Sequence, residues 1–134
     1  MKINVPMTIT FADVAKRQLT GRIVAWNEEG NTSVGRTMFA KDSIKIDKNV
    51  KLLLEHDRTR PIGKMIEAKV SENDIVATFQ LAKTFSADDA LEEASTGLRD
   101  GFSVGAMINE WSNDNGVMLI TSADLAEVSL VTRS

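Results

Sequence analysis

The chain opens with apolar side chains at every second position, Ile3, Val5, Met7, Ile9 and Phe11. That alternation commits the segment to a strand with one buried face. A half-buried strand needs partners beside it and a core beneath it. The rest of the sequence offers both. Arg17–Trp26 carries Leu19, Ile23 and Val24, and Glu28-Glu29-Gly30-Asn31 reads as a turn. Val50–His56 is a short apolar strand followed by charged Asp57-Arg58-Thr59-Arg60 and then Pro61. Ile62–Val70 and Asp74–Leu81 predict a hairpin joined through Ser71-Glu72-Asn73. Residues 101–110, 117–122 and 125–131 complete the strands, with Asn113-Asp114-Asn115-Gly116 as a turn. Residues 37–46 fit no single period.

One segment departs from the two-residue period. Ala87, Ala90, Leu91, Ala94 and Leu98 fall on one face of a helix, with Ser86 as its N-cap and Gly97 as its stop. Asp88 and Asp89 suit the positive end of that helix. No repeat or Pro/Gly-rich linker divides the 134 residues, which predicts one domain, 1–134, with one core. The fold class that follows is mainly β (α+β), a small antiparallel β-barrel with one or more flanking helices.

Charge and residue usage exclude several functions. The net charge is −3, and the Lys and Arg residues are scattered among acids, so no basic stripe marks a nucleic-acid surface. With no cysteine, thiolate catalysis, disulfides and Cys-ligated zinc are ruled out. A single histidine leaves no His-rich metal site, and no cofactor motif is present. No apolar run reaches the roughly 18 residues of a membrane span. Glu92-Glu93, Asp88-Asp89 and the charges of residues 41–48 read as solvated surface.

Three residues stand out against this background. His56 falls on the face shared by Val50, Leu52 and Leu54, beside Glu55 and Asp57, where an imidazole can be tuned; it can equally be a histidine that ends a strand and bonds to backbone. Ser103 lies in Gly101-Phe102-Ser103-Val104-Gly105, which matches G-x-S-x-G. The nucleophile elbow behind that pattern requires strand, serine, helix, with histidine last. Here the helix comes first, and the histidine precedes the serine by 47 residues, so the match to that elbow is accidental. Gly101 and Gly105 still keep bulk from the hydroxyl and let a peptide approach; the alternative is a Gly-flanked edge strand. Glu127, inside Asp124-Leu125-Ala126-Glu127-Val128-Ser129-Leu130-Val131, is costly to bury without a partner such as an imidazolium, or else faces solvent from an edge strand. Asp57 competes for the role of partner, although strand alternation points it away from the His56 side.

Three ordered segments carry a family resemblance. They are Leu52-Leu53-Leu54-Glu55-His56-Asp57-Arg58-Thr59-Arg60-Pro61-Ile62-Gly63, then Gly97-Leu98-Arg99-Asp100-Gly101-Phe102-Ser103-Val104-Gly105, then Leu125-Ala126-Glu127-Val128-Ser129-Leu130-Val131-Thr132-Arg133. The set resembles the histidine, serine and E-V-S-L-V blocks of the prohead (capsid maturation) serine proteases of tailed phages. That family is similar in fold to the herpesvirus assemblins, β-barrel proteases surrounded by helices. The resemblance implies a serine endopeptidase that digests scaffold and major capsid protein segments, and itself, inside a procapsid in the host bacterial cytoplasm. It implies Ser103 as nucleophile, His56 as general base and, 24 residues after the serine, Glu127 in the place where assemblins use a second histidine. It also implies oxyanion donors near Thr132 and Arg133, no cofactor, and a homodimer through the 87–97 helix. The chain ends at Ser134 where family members continue, which predicts a domain truncated at that end. The competing expectation is a non-catalytic barrel module that binds scaffold or coat protein.

Overall fold

The first strand, β1 (Lys2–Asp13), leads into β2 (Gln18–Ala25), a short ribbon of β3 (Gly30–Thr32) and β4 (Gly35–Phe39), then β5 (Ile44–Lys45) and β6 (Lys51–Leu54). β7 (Asp57–Val70) and β8 (Asp74–Leu81) precede the helix α1 (Phe85–Ser95), and a long hairpin of β9 (Gly101–Asp114) and β10 (Val117–Val131) ends the chain. The computed structural model describes residues 1–47 and 49–132.

Strand pairing runs β10-β6-β7-β8-β2-β1-β9, and β9 returns to β10, so these seven strands close into a barrel. The expected barrel is present, with one joint of the opposite sense. β10 pairs in parallel with β4, β5 and β6 in turn, at Leu119↔Met38, Ala123↔Ile44 and Ser129↔Leu53. Residues 37–54 thus climb alongside 118–130 in three short steps. That explains why 37–46 shows no single period: the segment bends between brief pairings instead of forming one strand.

The core is built from the inward faces of the closed sheet. Ile3, Leu19, Ile23, Leu52, Ile62, Ile75, Val104, Val128 and Leu130 are buried, and Phe79 meets Phe102 edge-on at 5.3 Å between ring centres. Each fully buried side chain of this size contributes about 1.5–3 kcal/mol. Along β1 the alternation holds through Ile9, but a bulge between Ile9 and Phe11 shifts the register and turns Phe11 out to solvent. The two strands expected at 117–122 and 125–131 are one strand, which bulges at Ser122 and between Leu125 and Glu127 where its pattern breaks.

The helix starts earlier than its apolar stripe suggests. Its N-cap is Thr84, not Ser86: the Thr84 hydroxyl accepts the Ala87 N–H at 3.2 Å. Gly97 follows the C-cap with φ +81°, the left-handed exit that only glycine makes without cost. Ala87, Ala90 and Leu91 are buried against the barrel, whereas Leu98 lies past the helix end and is exposed.

Candidate active site

The register of three adjacent strands assembles one wall of the barrel. Ser103 of β9 sits between Pro6 of β1 and Ser129 of β10, and Gly105 sits between Asn4 and Glu127. Directly opposed residues in antiparallel strands share a face. Ser103, Ser129 and Glu127 therefore project from the same side. At Ser103, β9 is hydrogen-bonded to a strand on each side, so the serine is not on a sheet edge, and neither is Glu127.

His56 reaches this wall from a turn rather than from a strand. Leu54 pairs with Asp57, which leaves Glu55 and His56 as a two-residue hairpin loop, both left-handed at φ +50° and +61°. Such loops favour Asn-Gly, and a left-handed L-residue costs about 1–2 kcal/mol. The turn is fixed by its neighbours on β10. The Glu55 N–H donates to Leu130 O at 3.1 Å, and the His56 N–H donates to the buried Ser129 hydroxyl at 3.1 Å. The imidazole Nδ1 then lies 3.0 Å from Glu127 Oε1.

Ser103 and His56 line a common cleft of about 590 Å³ with Asn4, Pro6, Glu55 and Thr132. Glu127 does not line that cleft; it is buried and meets the imidazole at Nδ1. No hydrogen bond joins Ser103 Oγ to the ring among the described residues, and Nε2 has no partner there either. Burial alone would push the Glu127 carboxyl up. The hydrogen bonds from His56 and Lys2, with the Lys2 charge, outweigh it and hold the group below the usual carboxylate range. Lys2 Nζ is 3.1 Å from the same Oε1.

Other expected members fall differently. Asp57 accepts the N–H and hydroxyl of Thr59 at 2.9 and 2.6 Å, and these bonds hold its carboxyl low. Gly101 pairs with Thr8 and Val131 in the buried part of the wall. A Cβ at Gly105 would lie 2.9 Å from both Glu127 Cγ and Lys2 Cε, so the bare backbone makes room for those two side chains. Thr132 lines the cleft, and its N–H donates to Glu55 Oε1 at 3.2 Å. Arg133 lies outside the described residues.

Three residues at the site escaped sequence reasoning: Lys2, Ser129 and Arg99. Arg99 bonds Glu55 Oε1 at 2.6 Å and Glu93 of α1 at 3.2 Å, tying the helix to the histidine turn. Its place inside the serine block was the only available signal. Among the described residues no cluster of acids and His could hold a metal, and no helix is long and apolar enough to cross a membrane.

A closed β-barrel thus brings a hydroxyl and an imidazole to one cleft, with a buried carboxylate on the ring. The chain belongs to the caudovirus prohead serine protease family, whose model matches residues 8–134. Among solved structures, that of the bacteriophage T4 capsid assembly protease gp21 is similar, with a TM-score of 0.65 over 99% of each chain. Identity to it is 10%, so the likeness is one of fold. Among curated proteins none matches significantly. Membership of that family makes this a protease of the capsid-maturation class.

Proposed function

We propose that the chain is a serine endopeptidase in which Ser103 attacks, His56 moves the proton and Glu127 orients the ring. The observation that carries this reading is the shared cleft of Ser103 and His56, with Glu127 Oε1 3.0 Å from the imidazole Nδ1. With Nδ1–H held by the carboxylate, Nε2 is the free basic nitrogen. It takes the Ser103 proton as Oγ bonds to the peptide carbonyl carbon, and gives that proton to the leaving amine as the C–N bond breaks. Water then releases the acyl group from Ser103 by the same proton path. Glu127 stabilises the imidazolium that forms in between.

Oxyanion stabilisation from the Thr132 N–H requires that this group leave Glu55, which now occupies it. The substrates are extended segments of scaffold and major capsid protein, and of the chain itself, cleaved inside the procapsid in the host bacterium. A homodimer through the face of α1, which carries the exposed Phe85 at its start, belongs to the same reading.

The test is coexpression with the scaffold and capsid proteins of the same phage. Wild type trims them and Ser103→Ala leaves them whole, with a loss of at least about a thousandfold. Identical fragments from both would sink the proposal and leave a non-catalytic binding module. Activity should fall along one acid limb as His56 takes a proton. Cleavage that persists in His56→Ala would remove its assigned role.

A further inference from the structure

We propose that Lys2 is a positioning residue of this site, which fixes the Glu127 carboxylate and moderates its pull on the His56 ring. The role rests on the triad reading given above. Lys2 Nζ and His56 Nδ1 approach one and the same oxygen, Glu127 Oε1, at 3.1 and 3.0 Å. Lys2 is two strands from Glu127, across β9, and pairs with Met107, so its side chain crosses the bare backbone of Gly105 to arrive there. A methyl group at 105 would collide with the Lys2 and Glu127 stems together, at 2.9 Å each. Glycine at that position and lysine at position 2 form one arrangement.

The electrostatic consequence follows from the shared oxygen. A lone buried carboxylate favours a protonated imidazole and so leaves less of it as free base to take the serine proton. The Lys2 ammonium on the same oxygen supplies the carboxylate with a counter-charge, and it repels a proton on the ring. The low carboxyl of Glu127 agrees with this double engagement.

The other charges nearby are placed otherwise. Lys51 of β6 and Arg58 of β7 line the depression beside Glu127 without bonding it. Glu55 is engaged by Arg99, and Asp57 by Thr59. Among the described residues Lys2 is the one cation within ion-pair distance of this carboxylate besides the ring itself.

His56 is the sole histidine, so one imidazole Cε1–H signal in the proton NMR spectrum of the full chain reports its titration without need of activity. Lys2→Met should move the midpoint to higher pH, since it removes the cation that shares Oε1 with the ring. Lys2→Arg should leave it near wild type, and the acid limb of cleavage should move with the midpoint. A folded Lys2→Met with an unmoved midpoint overturns the proposal. Lys2→Gln serves if Lys2→Met fails to fold; loss of the fold in both, with Lys2→Arg intact, makes the lysine structural only and also overturns it. Cleavage indifferent to Ser103→Ala would instead defeat the protease reading, while the midpoint still reports on Lys2.

Discussion

Glu127 is a carboxylate whose charge the folded protein protects, and this has a calculable sign. Its carboxyl is held below the ordinary range, so the unfolded chain binds a proton at that group more readily than the native one. The stability it contributes is whole above the unfolded pKa of about 4.3 and is lost as pH falls through the lower folded value. Wild type should therefore lose stability steeply below about pH 4, and Glu127→Gln more gently over the same window. Urea midpoints of both proteins at neutral pH and at two acid values measure this; parallel acid losses would contradict it. A glutamate in an apolar strand advertised itself in the sequence because burial without a partner is costly. Its second partner could not be read there. Lys2 becomes relevant only once the β1–β9 register carries it past Gly105, and Ser129 only once β6 lies beside β10.

The histidine turn is the element whose local sequence and native conformation disagree most. Glu-His carries none of the Asn or Gly that a two-residue loop with both φ positive prefers. The apolar run before it therefore extended the expected strand through His56. What holds the turn is tertiary: two β10 acceptors, and the Glu55 carboxylate gripped by Arg99 and by the Thr132 N–H. Because Glu55 is half exposed, the Arg99 bridge is a modest contributor. A double-mutant cycle with Glu55→Gln and Arg99→Met should give a coupling of roughly 0.5–1 kcal/mol. A coupling of zero would mean that the bridge does not fasten the turn. The helix was easier to read because its stripe and its terminal glycine are local signals. Its cap was misassigned by two residues, since Thr84 and Ser86 are both acceptable caps and only backbone geometry chooses between them.

At the scale of the molecule, the seven-strand closure ties every part of the site to the same core. Phe102, one residue from Ser103, points inward against Phe79 and is fully buried. Phe102→Ala should cost about 3–5 kcal/mol of unfolding free energy, read from the urea midpoint; a loss below about 1 kcal/mol would mean that the barrel interior is not packed as described. That a barrel would form was legible from the alternating strands, but the way it closes was not. The parallel steps of β4, β5 and β6 along β10 join residues far apart in sequence and leave no periodic trace. Closure also depends on how β1 is laid into the wall. Its residues Lys2–Thr8 cover the whole stretch Gly101–Met107 of β9, and the Met1 carbonyl accepts the Ile108 N–H at 2.8 Å. Only Ile9–Asp13 is paired to β2. A chain lacking its first eight residues would keep that second pairing and lose the first. It would expose an unprotected row of amides along a strand that carries Phe102, Val104 and Ala106. Such a rim invites strands from other copies, so the shortened chain would aggregate rather than merely lose activity.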